Sequence, residues 1–466
     1  MKICIDSRKV EPGDIFYCLE GVVTDGHKFA DMAAEKGASV IVYQNDLPTE
    51  ERDGVAYIRV KDTVAALNEA CDSFYGHPSH KLKMFGVTGT NGKSTITNII
   101  AQIYSRKELC GYIGTINMKL GNVVKAPDLT TPDCVTMHTV LKQMWDEGAK
   151  AAAIEVSAHG LSRGRVDSVD FDYAIFTNLT QDHLDYYHTM SNYFEAKQLL
   201  FKHLKPEGCA ILNRDSTTFE ALKACTKARV ITYGIYEECD YRAEEIVYGE
   251  DYTSFVLNHN GEKTAFKTNM TAEYNIYNMV AAIAACFEAG VPMEDIVAGA
   301  EFIEQIPGRM ERVDEGQKFR VIVDYAHTPD GFEKIFQYGK NITPEGGKLL
   351  GVFGCAGGRD TNKRPKMGAM AQKYLDKAFL TSQDIRDEDP EDIANQIRGG
   401  FTELENVFIR DRKEAIETAI AEAGDEDTIL ILGKGDEAYL YGTKGREPWM
   451  GDNNCAREAV KMRMGK

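Results

Sequence analysis

The stretch Met84-Phe-Gly-Val-Thr-Gly-Thr-Asn-Gly-Lys-Ser-Thr95 decides how the chain is read. Its apolar run into Gly86 and Val87 predicts a strand. Ile96 to Arg106 predicts a helix, with Ile96, Ile99, Ile100 and Ile103 on one face. Between them Gly89, Thr90, Asn91 and Gly92 form a small-residue loop whose amides, with the helix N-terminus, converge on one anion. Lys93 adds positive charge, the Ser94 hydroxyl suits Mg2+ on a nucleotide phosphate, and Thr95 completes the run. A strict phosphate-loop pattern carries Gly where this chain has Val87. A plain glycine-rich turn, however, does not account for the Lys-Ser pair.

Outward from that loop, residues 82–306 alternate strand and helix, which predicts a mainly parallel sheet. The strands are expected at Gly111–Ile116, Ala151–Val156, Phe171–Thr177 and Val230–Tyr233, with a helix over 134–147. Ligands of such sheets bind beyond the carboxyl ends of the strands. Glu155-Val-Ser157-Ala-His159 lies at one such end, where a carboxylate closing an apolar strand is costly without a partner. Thr177-Asn-Leu-Thr-Gln-Asp182-His183-Leu-Asp185 lies at another. Tyr193 to Phe201 predicts a helix with Lys197 near the Tyr193 side, where a lysine either snorkels to solvent or serves the site. Ser94, Glu155 and His183 together make an oxygen and imidazole set suited to Mg2+. Glu273-Tyr-Asn-Ile-Tyr-Asn278 opens an alanine-rich helix, in which Asn278 either caps or bonds a base.

Residues 1–81 carry short strands at Lys2–Ile5, Asp14–Leu19, Val40–Tyr43 and Ala56–Val60 and helices at Lys28–Lys36 and Thr63–Tyr75, a small α/β unit joined through Gly76 to Lys81. Asp6-Ser7-Arg8 and Thr24-Asp25-Gly26-His27 sit at its turns, as binding groups or as turn chemistry. Residues 307–466 alternate again in a doubly wound layout. Their strand ends carry Asp324-Tyr-Ala-His327, the single run Gly354-Cys-Ala-Gly-Gly358-Arg359-Asp360-Thr-Asn-Lys363-Arg364, Thr381-Ser-Gln383-Asp384-Ile385-Arg386 and Gly433-Lys434-Gly435-Asp436-Glu437. Four such clusters in one unit predict a substrate surface facing the phosphate loop.

Composition bounds the function. The 466 residues allow roughly three domains, and the net charge of −18 argues against a nucleic-acid binder. Eleven cysteines without a Cys-x-x-Cys pair read as small hydrophobes in a reducing compartment. Met1 leads into Lys-Ile-Cys without a signal-like apolar run, and no stretch reaches membrane length, so a cytoplasmic protein without membrane partners is expected.

In order, Asp6-Ser-Arg8, Thr88 to Ser94, Thr130-Thr131-Pro132, Glu155 to His159, Asp182-His183-Leu-Asp185, Ala196-Lys197, Pro307-Gly-Arg309, Asp324 to Pro329 and Gly358 to Pro365 resemble the Mur ligase family over nearly the whole chain. The closest resemblance is to its MurE-type branch, which adds the third residue to a UDP-N-acetylmuramoyl peptide. The resemblance implies an α/β protein of three domains: a small N-terminal UDP-sugar unit (1–81), a central P-loop ATPase (82–306) and a C-terminal Rossmann-like amino-acid unit (307–466). It implies ATP and Mg2+, a carbamylated Lys197, and metal partners Ser94, Glu155 and His183, with Lys93 as a further catalytic group. Gly89 to Thr95, Asn278, Arg309 and Asp324 would hold ATP, the last three at adenine and ribose. Ser7, Thr130, Thr131, Ser157 and Arg165 would hold the carrier, and Asp384, Arg386, Gly433 and Glu437 the incoming amino acid. A monomer acting on small molecules is expected.

Departures concern the substrates. Relatives that take meso-diaminopimelate often carry Asp-Asn-Pro-Arg where this chain has Gln383-Asp384-Ile385-Arg386, and Gly-Lys-Gly-His-Glu reads Gly433-Lys-Gly-Asp436-Glu437. Diaminopimelate, lysine and another amino acid all stay open. Only five residues precede Asp6, and Val22-Val23 stands where polar uracil contacts are often found. That leaves a trimmed UDP site or a different carboxylated carrier. A folylpolyglutamate-synthase-like ligase shares the ATPase plan, but the N-terminal Asp-Ser-Arg unit and the Thr-Thr-Pro turn favour a muramoyl substrate. A non-catalytic scaffold would not explain Lys93, Glu155, His183 and Lys197 together.

Overall fold

The computed structural model describes residues 1–21, 24–48, 51–121, 123–125, 129–249 and 251–466. Three α/β units follow one another along the chain, each around its own sheet. The first is a four-stranded parallel sheet, Ile3–Cys4, Ile15–Tyr17, Val40–Tyr43 and Ala56–Arg59 in that spatial order. The helix Thr63–Phe74 follows it, started by Asp62, whose carboxylate accepts from the Val64 and Ala65 amides.

The central sheet has 11 strands. Its middle is parallel, with Lys83–Thr88 between Tyr173–Phe176 and Ala151–Glu155. Ala151, Ala152, Ala153 and Ile154 are fully buried, as expected of a strand covered on both faces. The phosphate-loop helix is Lys93–Tyr104, three residues earlier than the apolar stripe predicts, because the stripe marks the buried face and not the cap. It packs on the helix Glu273–Glu288, where Ala281, Ala282, Ala284 and Ala285 allow close approach. Sequence periodicity missed the strand Cys209–Asn213 and the antiparallel strands Tyr241–Tyr248, Thr253–His259 and Glu262–Thr268 that extend one edge. Those outer strands alternate buried with partly exposed residues, and their polar faces hide the apolar signal.

The third unit holds a six-stranded sheet in the order Glu311–Arg312, Arg320–Asp324, Thr428–Leu432, Leu349–Phe353, Lys377–Thr381, Glu405–Ile409. All but the first pair run parallel. The order reverses around the Thr428–Leu432 strand, and such switch points place ligands at the strand ends. Asp324, Thr381 and Gly433 all lie at that edge. The hairpin of Tyr439–Gly442 with Gly445–Pro448 and the helix Asp452–Arg463 complete the unit; the sequence reading had not resolved them. Among the described residues no helix is long and apolar enough to cross a membrane.

Candidate active site

Two glycines shape the phosphate loop. Gly89 has φ +147°, and a Cβ there would lie 1.8 Å from Thr177 Oγ1. Gly92 has φ +85°, and a Cβ there would lie 2.6 Å from Asn278 Oδ1. The loop is therefore pressed against the strand end at Thr177 and the helix start at Asn278. The anion-binding reading needs one correction. The amides of Thr90 and Asn91 are already donated to the Asn178 carbonyl (2.9 Å) and Asn178 Oδ1 (3.0 Å). The anion-facing donors therefore begin at Gly92, where the helix starts without a side-chain cap. Lys93 Nζ lies on the Gly89 and Thr90 carbonyls at 3.1 and 2.8 Å, which holds its charge inside the loop.

Glu155 is fully buried at the end of its strand. Its Oε2 accepts from Ser94 Oγ (2.9 Å) and Thr115 Oγ1 (3.1 Å), and its Oε1 from Tyr112 OH (2.6 Å) and the Thr115 amide (2.9 Å). All four donors are neutral, so the carboxylate meets no hydrogen-bonded cation, and a divalent ion beside Ser94 would supply one. Arg309 reaches Ser94 Oγ with Nη2 at 2.9 Å and lies 4.4 Å from the Tyr325 ring centre. Its guanidinium thus lies against the Ser94 hydroxyl of the phosphate loop.

Lys197 is buried, its Nζ 2.7 Å from the Gly89 carbonyl and 4.3 Å from the Tyr193 ring centre. Burial first, and then the charge of Lys93, push its pKa well below the ordinary lysine range, which favours the neutral amine. His183 has φ +55° and stands against His159 and Tyr193, with ring centres 4.9 and 5.8 Å away. Burial pushes it down to about 3, leaving a neutral imidazole. Glu155 and His183 occupy different sides of the loop, and no contact joins them. Among the described residues no three His, Cys, Asp or Glu side chains gather as a metal set.

A cavity of about 1130 Å³ runs from Thr90–Thr95 to the third unit and is lined by Asn278, Arg309 and Asp324. Asn278 donates to Asn275 Oδ1 at 3.0 Å, and Asp324 accepts from the Met310 and Ala326 amides, both at 2.8 Å.

The proposed carrier residues fall into two places. Thr131 Oγ1 bonds the Glu155 carbonyl (2.7 Å) and Ser157 Oγ (3.1 Å), Arg165 Nη1 donates to the Thr131 carbonyl (2.9 Å), and Thr115 Oγ1 meets Thr130 Oγ1 at 3.1 Å. The buried Thr131 hydroxyl is thus engaged in positioning its neighbours. Ser7 instead lines a separate cleft of about 860 Å³ with Arg8, Met32, Asp133 and Thr136. Val22 and Val23 lie outside the described residues.

At the third unit's strand ends the hub is Lys434, fully buried, which the sequence reading had quoted without a role. Its Nζ is 3.0 Å from Asp384 Oδ1 and also pairs with Glu437. Glu437 Oε1 accepts from Tyr325 OH at 3.1 Å. Arg386, at φ +50°, donates to the Gly357 carbonyl at 2.7 Å and stacks over Tyr441 at 5.1 Å. Gly433 has φ +108°, and its carbonyl accepts from Gln383 Nε2 at 3.0 Å. Tyr439 and Tyr441 were missed, because they sit on a short hairpin whose sequence carries no periodic signal.

Comparison with known proteins accords with this architecture. Residues 2–75 match the Mur ligase family catalytic domain, 87–286 the Mur ligase middle domain and 308–435 the Mur ligase glutamate ligase domain. The UDP-N-acetylmuramoyl-L-alanyl-D-glutamate–2,6-diaminopimelate ligase of Geobacillus kaustophilus is 42% identical over 98% of this chain and 94% of its own. A solved ligase of the same name is 29% identical with TM-score 0.68, covering 99% of this chain and 95% of its own. The Thermotoga maritima MurF ligase in complex with ADP shares the fold at 17% identity and TM-score 0.69, covering 100% of this chain and 98% of its own. The three-unit α/β fold with a phosphate loop in its middle unit defines a nucleotide-dependent ligase architecture. The chain belongs to the Mur ligase family.

Proposed function

We propose that this chain is an ATP-dependent acid–amino-acid ligase that adds the third residue to UDP-N-acetylmuramoyl-L-alanyl-D-glutamate in peptidoglycan precursor synthesis. The observation that carries the reading is the joint placement of Lys93, Ser94 and Arg309 on one cavity wall that continues into the third unit, with Glu155 behind Ser94. Residues 1–81 then bind the carrier, 82–306 bind ATP and 307–466 bind the amino acid, in a cytoplasmic monomer.

The chemistry follows from the charges. The γ-phosphoryl group of ATP passes to the glutamyl carboxylate, giving an acyl phosphate and ADP. The incoming amine attacks the acyl carbon, and phosphate leaves from the tetrahedral intermediate. Lys93, the first helix amides and Arg309 offset charge on the transferring oxygens. Asn278 and Asp324 hold adenine and ribose. Thr131 orients Ser157, and Arg165 fixes the Thr130–Thr131 turn toward the carrier. Ser94 and Glu155 would hold one Mg2+, and His183 with a carbamylated Lys197 a second. When bound, these ions neutralise phosphoryl charge. Burial favours the neutral form of Lys197, whose lone pair carbon dioxide needs; the resulting carbamate would supply the acceptor oxygens an ammonium lacks. Carbon-13 bicarbonate followed by a carbamate resonance, lost in Lys197→Ala, checks that step.

Meso-diaminopimelate is the acceptor this reading favours, because the 42% identical relative is named for it and Arg386, the residue that diaminopimelate-adding relatives share, is held at the strand end by the Gly357 carbonyl. Lysine or another amino acid is the second acceptor reading, since Asp384 and Asp436 add negative charge there. A different carboxylated carrier is the alternative at the first unit. Incubation with ATP, Mg2+ and the muramoyl dipeptide, offering diaminopimelate, L-lysine, L-ornithine or no amino acid, is expected to release phosphate and give a ligated mass with diaminopimelate. No ligation with any of them would sink the muramoyl assignment. Arg386→Ala is expected to raise the KM for diaminopimelate by roughly ten-fold or more, on the ~2 kcal/mol scale of truncating one member of a buried charge pair.

A further inference from the structure

The loop Pro307-Gly-Arg309-Met-Glu311 joins the second unit to the third and is anchored in the third. Gly308 donates its amide to Glu311 Oε2 (2.8 Å), and that carboxylate also takes Asn453 Nδ2 (3.1 Å) and Arg457 Nη2 (3.0 Å) from the C-terminal helix. Met310, at φ +47°, donates its amide to Asp324 Oδ2 at 2.8 Å, while Asp324 Oδ1 takes the Ala326 amide at 2.8 Å. One carboxylate thus clamps the neighbours of both Arg309 and Tyr325 and brings the two side chains together. Gly308, at φ +63°, is pressed on the loop 433–437: a Cβ there would lie 2.5 Å from the Asp436 amide nitrogen. Arg309 is therefore carried by the third unit, and its bond to Ser94 Oγ (2.9 Å) is made across the seam.

The same guanidinium lies 4.4 Å from the centre of the Tyr325 ring, the distance of a cation–π pair. Tyr325 is half-buried on the wall of the cavity, and its hydroxyl donates to Glu437 Oε1 at 3.1 Å. Glu437 in turn pairs with the buried Lys434, which lies 3.0 Å from Asp384 Oδ1, and that oxygen also takes the Tyr441 amide at 3.0 Å. Ser94, Arg309, Tyr325, Glu437, Lys434 and Asp384 form one unbroken line of contacts. It runs from the phosphate loop to the two strand-end loops that the proposed function gives to the amino acid. Tyr325 stands where the two halves of that line meet, with its face on Arg309 and its hydroxyl on Glu437. The phenol oxygen lies in the plane of a rigid ring, so a displacement of Glu437 moves the surface on which Arg309 rests.

We propose that Tyr325 is a positioning residue that couples the amino-acid site to the phosphate loop: an acceptor held at Glu437 fixes the Tyr325 ring, and the ring fixes Arg309 against Ser94. Resting on the ligase reading above, this coupling adds an order to it. Arg309 is set for phosphoryl transfer when an amine is in place to consume the acyl phosphate, which keeps that intermediate from being made and lost to water. Thermodynamic linkage makes the coupling mutual, so bound nucleotide tightens the acceptor by the factor with which the acceptor tightens nucleotide.

The test is calorimetric titration of the full-length protein, saturated with the muramoyl dipeptide carrier, with Mg2+ and β,γ-methylene-ATP, which cannot transfer its γ-phosphoryl group. The titration is run with and without meso-diaminopimelate. Diaminopimelate is expected to lower the Kd of the nucleotide about five-fold or more, and the nucleotide to lower that of diaminopimelate by the same factor. Tyr325→Phe keeps the ring under Arg309 and deletes the hydroxyl that meets Glu437, and in that variant the factor is expected to fall to about one. Because the factor is a ratio within each protein, a change in either affinity alone, as from a general loosening of the fold, does not imitate it. Independent binding of the two ligands to the wild-type protein would overturn the proposal, and so would Tyr325→Phe with the factor intact. Diaminopimelate failing to bind the carrier-loaded protein at all would overturn the acceptor reading and the proposal together, whereas binding without coupling overturns the proposal alone.

Discussion

The central unit has two seams, and they are built from opposite materials. Against the first unit it is largely apolar: Ile3, Tyr17, Val42, Leu67 and Cys71 pack with Cys134 in one cluster. Against the third unit it is more polar and ionic, with Ala272 and Tyr274 joining the third unit's apolar cluster. Asn91 donates to Asp330 (3.0 Å), Gln181 to Asp360 (2.9 Å) and Arg359 to Asp185 (3.2 Å), while Lys363 and His327 stand 3.7 and 3.4 Å from Asp182. An apolar seam has no water to exchange for and stays shut. Charged contacts exchange for water at little net cost. Under the proposed function, the seam with the third unit is the one expected to open and close around the acyl phosphate.

The largest test of that contrast is Arg309, which crosses the polar seam to Ser94. Arg309→Ala is expected to lower kcat by roughly 10²–10³-fold, as for the loss of one preorganised charge stabiliser, with the KM for the carrier nearly unchanged in steady-state kinetics. A comparable rise in that KM would place Arg309 in carrier binding instead. On the apolar seam, Asn68→Ala leaves the Cys134 and Ser168 donors without their acceptor. It is expected to lower stability by about 1–3 kcal/mol in denaturant unfolding while kcat holds.

A subtler handle is Asp436, whose carboxyl burial pushes up to about 6. A carboxyl raised on folding binds its proton more tightly in the folded state, so stability falls as pH climbs from about 4 to 6. Asp436→Asn is expected to remove that decline from thermal unfolding measured across the window; an unchanged slope would assign it to another group. Smallest of all is Arg359→Ala, worth about 1 kcal/mol or less because the pair is half exposed. Its effect is expected to vanish in high salt, with scattering showing the third unit, and not the first, opening as ionic strength rises.

How much was legible before any coordinates depends on where the signal resides. The strand, glycine loop and Lys-Ser of residues 84–95 carry their chemistry in consecutive residues, so the loop and the alternating sheets were readable. Arg309 was named as a nucleotide group, but its contact with Ser94 was not readable, because it spans 215 positions that no local pattern encodes. The Thr90 and Asn91 amides were counted as anion donors because Asn178, which takes them, comes from another strand end. Lys434 was visible in its Gly-Lys-Gly turn, yet its role as the buried partner of Asp384 and Glu437 depends on two loops meeting.

The most direct measurement is oxygen transfer from the carrier. With the glutamyl γ-carboxylate labelled in oxygen-18, an acyl phosphate hands one labelled oxygen to the released phosphate, and mass analysis is expected to find it there after a round of ligation. Unlabelled phosphate with product formed would contradict an acyl phosphate, and with it the role given to Lys93, Ser94 and Arg309.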